Sequence, residues 1–323
     1  MKYLLLYLSV FTSMFAQADD TFKKLLDQNF ATAVLLSDSD AISLGFHDFN
    51  ASSVFGDNLG SMEALDNRKQ ISVYNAPFTW KLDELTLNNG KKINQNVSLF
   101  VSYIEQTREF KFTENSNSGS DKSTENVMTA GAKYWSSYPL SEVWSIRSGM
   151  RANLMYFENK YDYNDPTTTL FREQLDGFVV NTDAWAFTMQ PSIESHYRKP
   201  QTWGHWEAYS KINYFYGHGW GEANNGDIGN PEGWYWINGL KGFYDIADWG
   251  GYEQTLFSSV RRIDVGADLQ APLGAAHFYE WGLGWLVSAP FLKTYIDNIG
   301  IGVNLNYGSS LKGGTIVLLI NQN

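Results

Sequence analysis

The stretch Trp206-Glu207-Ala208-Tyr209-Ser210-Lys211-Ile212-Asn213-Tyr214-Phe215-Tyr216, WEAYSKINYFY, decides the fold. Successive side chains of a strand point to opposite faces. One face here reads Trp206, Ala208, Ser210, Ile212, Tyr214, Tyr216, and the other Glu207, Tyr209, Lys211, Asn213, Phe215. The first suits lipid and the second water. The run is long enough for a membrane-crossing strand, which needs roughly 9–11 residues.

The same period recurs along the chain. Trp144, Ile146, Met150, Ala152, Leu154 and Tyr156 alternate with Ser145, Arg147, Gly149, Arg151 and Asn153. Trp185, Phe187, Met189, Ile193 and Tyr197 alternate with Thr188, Gln190, Ser192, Glu194 and His196, and Ile263, Val265, Ala267 and Leu269 with Arg262, Asp264, Gly266 and Asp268. Tyr279 to Val287 and Ile299 to Tyr307 repeat the pattern with Glu280, Gly282, Gly284, Gly300, Gly302 and asparagines on the wet face. A soluble sandwich also alternates, but its strands usually stop near 5–6 residues. Here Tyr156, Tyr197, Tyr216, Tyr279 and Tyr307 end apolar faces, and Trp234 and Trp236 flank a loop, as an interfacial aromatic girdle requires. A periplasmic soluble β-sandwich that binds a ligand is the alternative fold.

The chain of 323 residues contains 12 Trp and no Cys, so disulfides and thiolate chemistry are excluded. A net charge of −11 argues against a nucleic-acid partner. Met1-Lys2, an apolar stretch from Tyr3 to Phe15 and Ala16-Gln17-Ala18 read as a secretory signal over residues 1–18. No later segment reaches the length of an apolar helical span. In the segment 19–40, Phe22, Leu25, Leu26 and Phe30 recur at helical spacing, with Ala33 and Val34 beyond them. This predicts a helix over about residues 21–35, placed as a plug in the lumen. Gly266, Gly282, Gly284, Gly300 and Gly302 offer it small-residue walls. The turn Ser37-Asp38-Ser39-Asp40 separates it from a barrel over 41–323.

Weaker strands near residues 41–49, 70–80, 96–112, 124–136, 234–244 and 313–321 bring the count to about twelve, the even parity of a bacterial barrel. The expected fold is therefore all-β: a transmembrane antiparallel β-barrel of about 12 strands with an N-terminal helix in its lumen. Long connections at 50–69, 113–123, 157–176 and 217–233 are expected on the outer side, and short ones at 136–141 and 198–201 on the periplasmic side.

This arrangement, with late strands such as EWGLGWLVSAPF (Glu280 to Phe291) and GIGVNLNYG (Gly300 to Gly308), resembles the translocator barrels of autotransporters, and in particular the solitary barrels without a passenger. The resemblance implies a Gram-negative outer-membrane location, insertion through the barrel-assembly machinery, contact with outer-membrane lipids and lipopolysaccharide, and a lumen threaded by the N-terminal segment. On this reading no passenger precedes the barrel. The terminal Asn323 departs from the aromatic residue with which such barrels usually end.

Buried ions need partners. The expected lumen network joins Lys133, Arg147, Arg151, Lys211 and Arg262 to Glu194, Glu207, Asp264, Asp268 and Glu280, with His196 among them. A porin-like pore, transport or surface role follows, without catalysis, metal or cofactor. The alternative is an outer-membrane lipid or lipopolysaccharide hydrolase using His196. Adjacent strand residues face opposite ways, so Ser195 is not its partner in a regular strand. FGDNLGS (Phe55 to Ser61) has Asn58 where an esterase nucleophile would stand. In the loop Gly217 to Trp236, Glu222 and Asp227 supply oxygens suited to calcium, and the rings could stack on sugars.

Overall fold

The computed structural model describes residues 20–38, 40–41, 47–49, 71–88, 90–110, 119–288, 290, 297–320 and 322. The signal segment, the whole 50–69 connection with FGDNLGS, Ser39, residues 42–46 of the expected first strand and residues 113–118 of the expected 113–123 connection lie outside them.

A helix, α1, spans residues 20–36. The strands follow as β1 (His47–Phe49), β2 (Ile71–Lys81), the short β3 (Leu85–Thr86), β4 (Lys92–Phe110), β5 (Asp121–Pro139), β6 (Trp144–Asp162) and β7 (Thr182–Gln201). They continue as β8 (Gly204–Gly221), β9 (Glu232–Trp249), β10 (Tyr252–Ala267), β11 (His277–Ser288), β12 (Asn298–Tyr307) and β13 (Gly313–Ile320). From β4 to β13 each strand pairs antiparallel with the next, and β2 pairs with β4. β13 pairs with β1, His47 opposite Ile316 and Phe49 opposite Gly314, and among the described residues β1 and β2 are the two unjoined edges of the curled sheet. β3 pairs only with β4.

The sheet curls around α1. Phe22, Leu26, Phe30, Ala31, Ala33, Val34 and Leu35 share one core with inward residues of β6 to β11, including Met155, Phe157, Ala186, Phe215, Tyr235, Ile237, Ile263, Val265 and Phe278. Phe30 meets the edge of Phe157 at 6.1 Å between ring centroids. Leu25 departs from the expected plug face and is 39% exposed. The packed stripe runs through 22, 26, 30 and 34, and Leu25 sits about 100° away from Leu26 on the helix.

Tight turns at 140–143, 202–203 and 250–251 share one end of the barrel, and the longer connections 163–181, 222–231 and 268–276 share the other. By that asymmetry the long-loop end is the expected outer side, although the 82–91 connection on the other end is also long. Outward rings form two bands. Trp144, Tyr197 and Trp206 touch in series at 4.8 and 4.9 Å near the tight turns, and Tyr156 meets Trp185 at 4.8 Å towards the loops. Trp144 and Tyr156 are ~30 Å apart along the membrane normal at 3.3 Å per residue and a tilt of about 40°, the depth of a hydrocarbon core. Above Tyr156 the outward face of β6 turns polar, with Lys160 and Glu158 paired at 3.1 Å.

The closing strand β13 divides its apolar residues between both faces. Leu318 is exposed outward. Val317 and Leu319 join Phe243, Phe257 and Leu286 in a second, smaller cluster away from α1. Leu319 lies over Gly284 and Gly302, where a Cβ would meet its Cδ1. These glycines therefore make room for a strand side chain rather than for the helix. Gly282 faces Ser259 and Asn304, Gly300 abuts the Trp285 carbonyl, and Gly266 lies against the Trp234 ring.

Candidate functional site

The inward face of the wall changes character along the barrel axis. Near the loops it is apolar and encloses α1; lower down it is charged. The turn after α1 enters this charged layer. Lys211 Nζ lies 2.7 Å from Asp40 Oδ2 and 3.8 Å from Asp38 Oδ2. Lys133 Nζ lies 3.2 Å from Asp40 Oδ2. The Tyr235 hydroxyl donates to Asp38 Oδ2 at 2.5 Å and receives the Gln190 amide at 2.6 Å.

Backbone oxygens of the turn are held as well. Arg261 Nη1 donates to the Asp40 carbonyl at 2.9 Å, while Asn75 Nδ2 and Arg151 Nη2 donate to the Ser37 carbonyl at 2.9 and 3.3 Å. The residues that hold the turn thus come from β2, β5, β6, β8, β9 and β10. Arg151 also donates to Asn153 Oδ1 at 2.8 Å and lies over the Phe100 ring at 4.1 Å. Burial raises the Asp38 carboxyl, but the positive charge of Lys211, aided by Lys133 and Arg151, outweighs it and holds the group below its ordinary value. Lys133 and Lys211 hold Asp40 well below the carboxylate range.

A second layer lies nearer the tight turns. Glu207, 1% exposed, sits between His196 Nε2 at 3.4 Å, Arg198 Nε at 3.6 Å and His205 Nε2 at 3.7 Å. His205 stacks on Phe243 with centroids 4.3 Å apart. Arg147 pairs with Glu194 at 3.1 Å. Arg261 pairs with the fully buried Glu280, which also accepts from Asn304 Nδ2 at 3.1 Å. Among the described residues no group of His, Asp and Glu has the geometry to hold a metal ion.

At the outer end, Lys23 pairs with Asp227 at 2.6 Å, Phe22 meets Phe178 at 6.2 Å, and Ala223 and Ile228 of the 222–231 connection are buried against α1. The helix therefore runs with its N-terminal end towards the outer loops and its C-terminal end down into the charged layer.

The family of solitary outer membrane autotransporter β-barrel domains matches residues 27–322. The chain belongs to this family. This autotransporter-type barrel is accordingly an outer-membrane protein. Solved structures that align with it include the β domain of the Bordetella autotransporter BrkA, at 12% identity over 77% of this chain and 96% of that one, with a TM-score of 0.43. The translocator domain of the autotransporter NalP from Neisseria meningitidis aligns at 12% identity over 76% and 84%, TM-score 0.39. LpxR from Salmonella typhimurium aligns at 8% identity over 83% and 91%, TM-score 0.43. No curated protein matches the chain.

The expected lumen residues separate into two groups. Lys133, Arg147, Arg151, Glu194, His196, Glu207, Lys211 and Glu280 face inward and make the contacts above. Arg262 and Asp264 do not: they face outward and pair with each other at 2.6 Å, with the Arg262 guanidinium 5.9 Å from the Tyr279 ring. Ile263 and Val265 point in at 0% exposure, so the polarity of β10 is the reverse of the expected one. The physical reason is the helix, which makes the inward face apolar at this level. Asp268 lies in the outer connection, where its Oδ2 accepts the Glu232 amide at 2.9 Å.

Trp234, Trp236, Tyr216 and Tyr307 are exposed on the outward face. Asp227, considered for calcium, is instead paired with Lys23. Asp38, Asp40, Tyr235 and Arg261 were not identified from the sequence. The only signal they carried was acidity in the first two and an arginine next to Arg262.

Proposed function

We propose that this barrel is an outer-membrane conduit held shut by its own N-terminal segment, with the helix end that faces the outer loops leading to the cell surface. The observation that carries the reading is the Ser37–Asp40 turn, gripped by side chains from six strands around the lumen. So many charge-assisted contacts on one turn, with Ser37 and Asp38 buried, suit a stopper better than a mobile linker. Outer-membrane lipids would cover the band between the two girdles, and the barrel-assembly machinery would insert the chain.

Conductance across a planar bilayer tests this. Deleting residues 20–40 removes Asp38 and Asp40 and leaves Lys133, Arg151, Lys211 and Arg261 lining an opened lumen. The deletion is expected to raise conductance at least tenfold and to favour anions. An unchanged, closed barrel would overturn the reading.

The barrel is read as non-enzymatic. His196 pairs with Glu207, whereas Ser195 stands opposite Ser210 in the register and faces outward, so the two share no site. Lipopolysaccharide incubated with the purified barrel is expected to stay intact; hydrolysis abolished by His196→Ala would overturn this part.

A further inference from the structure

The outer end of α1 carries a carboxylate in an unusual place. Asp27 lies directly against Gly229, where φ is +98° and an added Cβ would come within 2.5 Å of Asp27 Oδ1 and 2.7 Å of Oδ2. Asp27 Oδ1 is buried without a hydrogen-bond partner, while the Asn230 amide donates to the same carboxylate. The charged groups around it are mostly of its own sign. Asp268 approaches from the 268–276 connection and Asp227 from the 222–231 connection. On its own helix Lys23 is the counter-charge, already paired with Asp227 at 2.6 Å and also near Asp20.

We propose that this contact is a pH-responsive clasp on the outer end of the plug. A protonated Asp27 seats α1 under the 227–230 backbone, and an ionised Asp27 is driven away from Asp268 and Asp227, loosening the outer end while the Ser37–Asp40 turn stays anchored. The inference rests on the plug reading above.

Three features support it together. The Gly229 contact leaves no room for water to reach Oδ1. A neutral carboxyl has a proton to donate there, whereas a carboxylate has only an unmet need for donors. Burial, with the Asp268 charge next, pushes the Asp27 carboxyl up to about 7, against the opposing pull of Lys23. In the undocked helix the group would titrate near the ordinary 3.9.

The sign follows from proton binding. Between these two values the docked state holds more protons than the undocked one, so docking is strongest below about pH 4 and weakens as pH rises towards 7. Across that window each pH unit weakens docking by up to tenfold.

The chain contains no cysteine, so a single Lys24→Cys in the full-length protein takes a nitroxide label cleanly. Electron spin resonance in lipid vesicles between pH 4 and 8 is expected to show an immobile label at pH 4 and a mobile fraction that grows towards pH 7. Asp27→Asn should hold the label immobile throughout, and Asp268→Asn should shrink the mobile fraction at pH 8. A label that is immobile and pH-independent in the parent, or one that titrates identically in Asp27→Asn, overturns the clasp and leaves the plug standing. A label that is mobile at every pH in all three proteins overturns both.

Discussion

Along the inward face of β6, Arg147, Arg151 and Asn153 give way to Met155 and Phe157. β8 makes the same change from Glu207, Lys211 and Asn213 to Phe215, and β10 from Arg261 to Ile263 and Val265. The two halves of the lumen thus share their strands and hold one segment by different means. The outer half holds α1 by apolar packing, which is non-directional and scales with the area removed from water. The lower half holds the following turn by ion pairs and hydrogen bonds, which fix its register but leave costly charges if a partner goes missing. A helix could slide or rotate in an apolar sleeve; a turn bonded to six strands cannot.

The largest effect is expected in the lower half. Lys211→Met strips the ammonium from both Asp38 and Asp40 and should cost about 3–5 kcal/mol in urea unfolding of the vesicle-inserted barrel. Adding Asp38→Asn and Asp40→Asn to it should recover part of that loss, because the uncompensated charge goes too. In the outer half, Leu26→Ala should cost about 3 kcal/mol by opening a cavity, and no second neutral substitution should restore it. Equal rescue in both halves would erase the distinction.

The halves should also answer pH differently. The lower ion pairs keep their contribution down through mild acid and lose it only as pH falls through the depressed Asp40 value, below the ordinary carboxylate range. Circular dichroism melts between pH 7 and 3 should therefore show no loss from the lower half until the acid extreme. The smallest effect belongs to Arg262→Gln, which lies outside the lumen altogether and should leave unfolding unchanged, whereas Arg261→Gln removes the cation paired with the buried Glu280 and should destabilise. If Arg262→Gln matched Arg261→Gln, the orientation of β10 described above would fail.

Much of the wall was legible because lipid on one side and water on the other impose a period of two, and Trp206 to Tyr216 carries it without interruption. The helix was legible from the spacing of Phe22, Leu26 and Phe30. β10 was misread because a helix in the lumen makes the inward face apolar at its level while the Arg262–Asp264 pair lies outward, so Ile263 and Val265 look like lipid contacts. The turn Ser37 to Asp40 was read as punctuation, since its partners Lys133, Lys211 and Arg261 lie 93, 171 and 221 residues from Asp40 and only the fold brings them together. The doubly apolar end of β13 made sense only once Val317 and Leu319 were seen to meet Phe243, Phe257 and Leu286.

The length of the wall has a consequence of its own. β4 to β9 are each 18–20 residues long. At 3.3 Å per residue and a tilt of about 40° they rise ~45–50 Å, against the ~30 Å between the two aromatic bands. The lower girdle sits close to the tight turns, so most of the surplus stands beyond the band at the long-loop end, the expected outer side. On the conduit reading, the mouth beside α1 is therefore lifted clear of the lipid headgroups, and an antibody or protease reaching the cell would meet that rim before it met the membrane.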